Sequence, residues 1–446
     1  MRFPRFVLVE QSYPDRAIGN IRQHTFEELS KSDFASRVPK GARIAIGVGS
    51  RGIANISTIA KSVVEWWKAQ GANPFIIPVM GSHGAATAEG QSDVLAHYGI
   101  HEATMGVPVV SSLEVIELGA TSEGIQVYID KNGYEADGIF LLPRVKWHTD
   151  FAGTIESGLF KMMAIGLGKF AGAQQYHNFA YRIGLEQMIR SVGAKVFSCG
   201  KVLGGLAIQE GAHHETAGLV ALSSSKGLEP MVAQEELLLE EVKSWMAKLP
   251  AAEIDVLIVD EIGKNISGAG MDTKVINRSV NGHYNPWPDT PYIHRIYARG
   301  LSDLTYHSAV GLGMADVVHD RLVNDVNWEP TYINSLTANT PACIRIPIHF
   351  ASDQEALSKI APTVGKIDLS EVNYCRIRNT MELVHMAVSE NLISKLAPHA
   401  RITSEPFEIG FDGAGNLLDF HVPAELGEDA GDFEEASEAS TPGVRA

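Results

Sequence analysis

The sequence predicts an α/β protein with two α/β domains and mainly parallel sheets. Short apolar runs of strand length alternate with helical patterns and end in glycine-rich turns, which is typical of parallel α/β architecture. The chain of 446 residues is too long for one ordinary core, since domains of about 150 residues are typical. A break at Pro250 separates two sets of alternating elements. We therefore expect one domain over residues 1–250 and a second over residues 251–424.

In the first domain, three predicted strands are each followed by a polar loop. Buried strands are predicted at residues 42–48, 74–80 and 137–142, because each is a short continuous apolar run. Amphipathic patterns after the first two predict helices at residues 56–68 and 89–98. The first two loops read GSRGIAN and GSHGAAT, and the third strand opens into RVKWHTD.

The second domain repeats this alternation after a polar helix predicted at residues 233–249. Its predicted strands cover residues 254–259, 342–348 and 372–377. Its predicted helices cover residues 315–327, 354–360 and 382–396, and a hairpin turn is predicted at 411–416. The last segment, residues 425–446, is acidic and almost without large apolar side chains, so we expect a disordered tail.

The composition narrows the class of partners. A net charge of −16 argues against nucleic acid or anionic membranes as main partners, because both require a positively charged surface. No stretch approaches the roughly 20 apolar residues of a membrane helix, and the start MRFPR is not followed by a signal-peptide core. We expect a cytoplasmic protein that binds a small molecule, and a homo-oligomer stays open. Cys199, Cys343 and Cys375 form no CxxC pair and are expected in the core.

The three polar loops follow the carboxyl ends of predicted strands, where open α/β sheets bind ligands. Arg51, beside Ser50, could hold a carboxylate bidentately, although a surface arginine in a turn is an equal alternative. His83 and His148 are suited to proton transfer because an imidazole titrates near neutral pH. The spacing Gly47-x-Gly49-x-x-Gly52 is weak evidence for a dinucleotide, since no acidic residue ends the next strand.

Lys161 and His177 complete the polar residues of this region. Considered alone, a solvated lysine and a polar helix face explain them better than function does. Three histidines are also a common catalytic zinc set, but the long separations and the lack of HExxH make zinc a poor prediction.

Taken together, the order Arg51, His83, His148, Lys161, His177 resembles the lactate racemase family, which uses a nickel-pincer nucleotide. In that family a run from a histidine to a lysine carries the second acid/base group and the cofactor anchor. The corresponding run here is WHTDFAGTIESGLFK, which ends at Lys161.

The resemblance implies a role for each of these residues. Arg51, with Ser50 beside it, would hold the substrate carboxylate, and His83 and His148 would act as acid and base. Lys161 would attach the cofactor, Ser157 and Gly158 would contact it, and His177 would ligate nickel. The site would lie at the strand carboxyl ends, between the two domains.

The implied activity is a racemase or epimerase that inverts carbon 2 of a 2-hydroxy acid, with hydride transfer to and from the cofactor. Departures from the family concern the substrate: its Asp-x-Thr-Arg reads Val48-Gly49-Ser50-Arg51, and Gly84 and Ala85 replace an arginine and a proline. Three extra residues also separate His148 from Lys161. We therefore expect a larger, polyhydroxylated acid such as an aldonate rather than lactate.

The second domain is expected to close over the substrate with Lys264, Asn265 and Asp272, which follow a strand end. Lys274 or Asn277 would serve as well, and a helix cap is an equal explanation for Asn265 or Asp272. Two other functions stay open. One is a nickel-pincer-dependent redox enzyme that releases the 2-oxo acid, and the other is a non-enzymatic carboxylate-binding protein with the same fold.

Overall fold

The computed structural model describes residues 2–49 and 52–420. The predicted tail at residues 425–446 lies outside the described residues, and so do Ser50 and Arg51. Within the described ranges, none of the helices combines the length and hydropathy that are needed to span a membrane.

The strands occur along the whole described chain. In chain order they are β1 (Arg5–Gln11), β2 (Arg43–Val48), β3 (Asn73–Pro78), β4 (Val115–Ala120), β5 (Gln126–Asp130), β6 (Gly138–Leu142), β7 (Arg144–Val145), β8 (Val202–Glu210), β9 (Thr216–Ser223), β10 (Glu253–Ile262), β11 (Tyr292–Leu301), β12 (Val317–His319), β13 (Ile348–Phe350), β14 (Tyr374–Ile377), β15 (His385–Ser389), β16 (Ala400–Ile402) and β17 (Phe407–Glu408).

The α-helices lie between these strands. They are α1 (Ile21–Ser30), α2 (Ile56–Ala69), α3 (Ala88–His97), α4 (Glu102–Met105), α5 (Lys131–Glu135), α6 (Gly158–Lys161), α7 (Lys169–Ile183), α8 (Leu185–Phe197), α9 (Leu228–Trp245), α10 (Thr273–Ile276), α11 (Asp320–Asn324), α12 (Trp328–Thr337) and α13 (Asp353–Ile360). A turn of π-helix, Met162–Gly166, lies between α6 and α7.

The smaller of the two main sheets has the order β3-β2-β6-β8-β7, with β9 on β8. All its pairs are parallel except β8 with β9. Its two faces are covered by separate apolar clusters, one of which contains the inward side chains of α2 such as Ile59 and Val63. Parallel strands that are buried on both faces read as continuous apolar runs, which explains why β2, β3 and β6 were recognisable in the sequence.

The larger sheet has the order β13-β12-β11-β10-β14-β15-β1-β16, with β17 on β1. The strands from β13 to β14 are parallel, and antiparallel pairing begins at β15. The chain therefore starts in this sheet, because β1 pairs with β15 and β16, and only then builds the smaller one. The predicted α/β class with two mainly parallel sheets is confirmed, while the boundary at residue 250 stays a prediction.

Three predicted elements of the second half are wrong. The helix expected at residues 315–327 begins as β12, because Val317 and Val318 pair with β11 inside the sheet, and only its middle part, α11, is helical. Residues 382–396, expected as a helix, contain β15 followed by a 3₁₀ segment, Glu390–Lys395, and β15 pairs with β1 from the other end of the chain, which a local pattern cannot show. The strand expected at 342–348 is a 3₁₀ turn, Pro341–Ile344, with proline at its start.

Candidate functional site

Three strands of the smaller sheet end side by side. In the register of this sheet, Val48 lies opposite Pro78 of β3 and opposite Leu142 of β6. The loops that follow these strands therefore leave the sheet at one common edge. This edge is the expected ligand-binding edge of an open α/β sheet.

A partly buried ion pair binds the backbone of the loop after β2. Arg144 donates from Nη1 to Glu210 Oε2 over 2.9 Å and to the carbonyl oxygen of Gly52 over 3.0 Å. Glu210 accepts the backbone N–H of Ala54 over 2.9 Å. The pair thus fixes the backbone that follows Arg51, and neither residue was recognised in the sequence because a single Arg or Glu carries no local signal.

The turn that carries His83 is anchored by a buried polar chain. Gln91 donates from Nε2 to the carbonyl oxygens of Gly81 and His83, over 2.8 and 3.3 Å. Its Oε1 accepts from Lys169 Nζ over 3.3 Å, and Lys169 also binds Pro78 O over 2.6 Å. The His83 side chain itself is exposed.

Lys169 is an unusual residue at this position, because its side chain is fully buried against the equally buried Asp130 at 3.0 Å. Burial lowers the pKa of this lysine, and Asp130 opposes that effect. Its backbone also lies in the left-handed region, with φ at +52°. Lys169 begins α7, the helix of His177, and so connects this helix to the end of β3 and the His83 turn.

His148 lies in a loop whose backbone is bound on both sides. Its N–H donates to Glu156 Oε2 over 2.6 Å, and its carbonyl oxygen accepts from Lys274 Nζ over 2.6 Å. Lys274 also donates to Phe151 O over 2.7 Å and lies 3.6 Å from Glu156 Oε2. Burial lowers the pKa of Lys274, and Glu156 opposes that effect.

Glu156 is fully buried and engaged by the backbone and by two lysines, Lys274 and Lys243. It therefore organises the loop and offers no polar group to a substrate, in contrast to Asp150, whose side chain is well exposed.

Lys161 and His177 lie on successive helical elements that are separated by a short turn. Lys161 ends α6, the π-helical turn follows, and His177 lies in the middle of α7. Turns of π-helix occur frequently at functional sites. Burial lowers the pKa of His177, Asp150 raises it, and Lys161 lowers it further. Lys161, His177 and the loop of His148 are thus close enough to interact electrostatically.

The start of α6 is built around a buried glutamate. Glu235 of α9 accepts the backbone N–H of Phe160 over 3.3 Å and also that of Leu159, and burial raises its pKa to about 8. Gly158 has φ at +84°, and a Cβ at this position would lie 2.2 Å from Glu235 Oε1. Ser157 accepts the backbone N–H of Lys146 on its Oγ over 2.7 Å. Ser157 and Gly158 therefore shape the turn that leads to Lys161.

The residues of the second half that were expected near the substrate lie in two places. Asp272 is buried and caps α10, and its Oδ2 accepts from Trp147 Nε1 over 2.9 Å. Lys264 Nζ donates to Asn334 Oδ1 over 3.1 Å, and the exposed Asn265 donates to Ser302 Oγ over 3.0 Å. Asp272 thus joins the two sheets beside His148, whereas Lys264 and Asn265 lie at the carboxyl ends of β10 and β11.

The histidines of the site do not assemble a conventional metal cluster in the described part of the chain. The one group of three metal-ligating side chains found there is Glu253, Asp255 and His294. It lies near the amino ends of β10 and β11, whereas the candidate site lies at strand carboxyl ends. Lys366 Nζ lies 2.5 Å from Asp255 Oδ2, so an ammonium already neutralises this group. A zinc site made of His83, His148 and His177 receives no support.

The donor set fits a cofactor of the nickel-pincer type. His177 keeps a lowered pKa, so its neutral imidazole can offer a nitrogen lone pair to a metal, and imidazole suits nickel. Lys161 supplies an amine at the end of α6.

Comparison with known proteins gives one informative match, to a solved structure. No protein-family model matches the chain, and no curated protein matches it. The structure is similar to that of the lactate racemase apoprotein from Thermoanaerobacterium thermosaccharolyticum, with a TM-score of 0.50 and 14% sequence identity over 85% of this chain and 99% of that chain. A protein from Thermotoga maritima gives a TM-score of 0.49 at 12% identity, over 83% and 99% of the two chains. The chain therefore has the fold of lactate racemase, as the resemblance in its sequence implied.

Proposed function

We propose that this protein is a racemase or epimerase that inverts carbon 2 of a 2-hydroxy acid, with a sugar acid such as an aldonate as its substrate class. One observation carries the proposal: Lys161 and Asp150 both act on the charge of His177. The loop of His148, Lys161 at the end of α6 and His177 of α7 are therefore proposed to form one site. A binding protein needs neither this lysine nor this histidine.

Within this site, the acid/base work falls to His83 and His148, on the loops after β3 and β7. One imidazole takes the proton of the 2-hydroxyl group, and the other returns a proton to the oxygen when the opposite configuration forms. An inversion needs groups on both faces of a flat intermediate, and the proposal assigns one histidine loop to each face. The role proposed for Arg51, with Ser50, is to hold the carboxylate so that carbon 2 lies between these loops.

Lys161 and His177 would hold a nickel-pincer nucleotide, with Ser157 and Gly158 shaping the turn that leads to the anchor lysine. When bound, this group supplies a hydride acceptor and donor for carbon 2. The chain positions both holding residues on a segment that is packed against the His83 turn. A Cβ on Gly81 would lie only 3.2 Å from Ile165 Cγ2, so the turn and the segment are in close contact.

The proposed preference for a polyhydroxylated acid follows from the groups around the site. The exposed amide of Asn265 is proposed to bind hydroxyl groups of a longer substrate from the second half of the chain. The glycine and alanine after His83 remove bulk from the same edge. Lys264 is proposed to contact the distal part of such a substrate from the second half of the chain.

The test is a substrate panel with protein from a host that makes the pincer cofactor. Aldonates, lactate and other 2-hydroxy acids are incubated separately, and both epimers and any free 2-oxo acid are quantified by chiral chromatography. The proposal expects epimerisation of at least one aldonate without net release of oxo acid. Turnover of lactate alone would contradict the substrate class, and stoichiometric oxo acid would indicate a redox enzyme instead.

A further inference from the structure

We infer that Asp150 is a positioning residue that determines which ring nitrogen of His148 carries the proton. This inference rests on the proposed function, because it assigns a partner to the acid/base histidine of that site. It concerns a residue in the segment between His148 and Lys161, where this chain is longer than the family it resembles.

Asp150 offers the imidazole two different partners at the same atom. Its backbone N–H donates a hydrogen bond to His148 Nδ1 over 3.0 Å. Its carboxylate Oδ2 lies 4.0 Å from the same nitrogen. The Phe151 ring lies beside the imidazole, with 4.8 Å between the ring centroids, and restricts the position of the ring.

The backbone contact determines the resting tautomer. A ring nitrogen that accepts a hydrogen bond from an N–H cannot itself carry a proton, so neutral His148 has its proton on Nε2. In this form Nε2 can donate a hydrogen bond to a substrate oxygen but cannot accept a proton from it.

Nε2 can accept the hydroxyl proton only after the ring has lost its Nε2 proton to solvent and has taken up a proton from solvent on Nδ1. That Nδ1–H then needs an acceptor, and the Asp150 carboxylate, 4.0 Å from this nitrogen, can serve as one. When the proton of the substrate hydroxyl binds to Nε2, the ring becomes an imidazolium whose positive charge faces this carboxylate. A carboxylate on the far nitrogen of an acid/base histidine has this effect in general, because it orients the ring and stabilises its charged form.

Two other charged groups near His148, Glu156 and Lys274, bind its backbone. Glu156 accepts the His148 N–H, and Lys274 donates to the His148 carbonyl oxygen, so these two groups hold the backbone of His148 in place. His177 is within the electrostatic reach of both Asp150 and Lys161. The task inferred for Asp150 is therefore specific to the ring of His148, while the loop geometry depends on Glu156 and Lys274.

The first arm of the test needs neither cofactor nor substrate. The full chain is labelled with ¹⁵N-histidine, His148 is assigned by its absence in His148→Gln, and its ring nitrogens are titrated by NMR. We expect the Nε2–H tautomer in the neutral wild type. Asp150→Asn should lower the titration midpoint of His148 by about one pH unit, since a nearby opposite charge stabilises the imidazolium. Glu229→Gln, which removes an acid from the first turn of α9, should leave the midpoint unchanged.

The second arm measures turnover with cofactor-loaded protein. Asp150→Asn should lower kcat at least about tenfold with KM changed less than about threefold, and Asp150→Glu should recover part of kcat. The pH limb of kcat should move with the NMR midpoint, which a purely structural role would not cause.

An Nδ1–H tautomer in the wild type, or equal midpoints in wild type and Asp150→Asn, would overturn the inference. A loaded wild type that epimerises no hydroxy acid would instead remove the proposed function, while the NMR titration would still decide the relation between Asp150 and His148.

Discussion

Lys274 Nζ lies 2.6 Å from the carbonyl oxygen of His148, so a side chain of the second half of the chain holds the backbone of an acid/base residue proposed in the first. Replacing this lysine with methionine leaves two partly buried carbonyl oxygens, those of His148 and Phe151, without their donor. We expect Lys274→Met to reduce the free energy of unfolding by about 2 kcal/mol and to lower kcat about tenfold or more. Urea unfolding and steady-state kinetics measure the two effects.

The matched control is Lys359→Met, which removes an exposed lysine from α13. It should change neither quantity. If Lys274→Met were as stable and as active as this control, Lys274 would not couple the two sheets at His148.

The pKa of about 8 at Glu235 predicts an unusual pH dependence of stability. Because burial raises this pKa above the ordinary value of 4.5, the folded state holds a proton that the unfolded state has lost between these values. The stability that this group contributes is complete below pH 4.5 and is lost as the pH rises through 8. Between the two values it declines by about 1.4 kcal/mol per pH unit.

Glu235→Gln should remove this decline, so the difference in unfolding free energy between variant and wild type should change steadily from pH 5.5 to 7.5. Urea unfolding at several pH values measures it. Glu236→Gln is the adjacent control: Arg190 lowers the pKa of Glu236, so its charge does not change in this window. Parallel curves for wild type and Glu235→Gln would contradict the raised pKa.

Gln91 connects the buried Lys169 to the carbonyl oxygens of the His83 turn. Gln91→Met keeps a similar volume and the ion pair of Lys169 with Asp130, but it removes both donors to the turn. We expect kcat to fall at least about tenfold while nickel content stays close to that of the wild type. Metal analysis and kinetics separate the two readouts.

Gln23→Met on the surface of α1 provides the control, since its side chain contacts only Glu27 of the same helix in the described contacts. A parallel loss of nickel and kcat in Gln91→Met would show that Gln91 supports the whole segment rather than the His83 turn.

Gly158 is predicted to tolerate no side chain, because its φ is +84° and a Cβ would meet Glu235 Oε1 at 2.2 Å. Gly200 has a similar φ of +74° but nothing within 4 Å of its Cβ position. Both Gly→Ala variants carry the left-handed backbone cost of about 1 kcal/mol, and only Gly158→Ala adds the clash. Urea unfolding should show a clearly larger loss for Gly158→Ala, together with reduced cofactor loading. Equal losses would mean that Glu235 can move aside.

Much of the smaller sheet could be predicted from the sequence. Its strands β2, β3 and β6 are buried on both faces, so their apolar runs stand out, and the polar loops after them identify a ligand-binding edge. Helix α2 was predictable for the same reason, because its apolar residues recur on one face.

The rest depends on contacts between residues far apart in the chain. The pairing of β15 with β1 overrides a local helical pattern at residues 382–396. The support of the site is also long-range: Lys274 on His148, Glu235 on the start of α6 and Lys169 on Pro78 join elements that are about 75 to 130 residues apart. Such residues look like ordinary surface lysines and glutamates in the sequence, and only their burial reveals their tasks.

The central claim, that Lys161 and His177 hold a nickel-pincer nucleotide, is tested most directly by the intact mass and nickel content of protein from a host that makes this cofactor. Lys161→Ala and His177→Ala are compared with the wild type, and Lys226→Ala and His97→Ala serve as exposed controls. We predict a mass increment and bound nickel in the wild type and both controls, loss of the increment in Lys161→Ala, and loss of nickel in His177→Ala. An unmodified, nickel-free wild type from a host shown to load a related enzyme would contradict the claim.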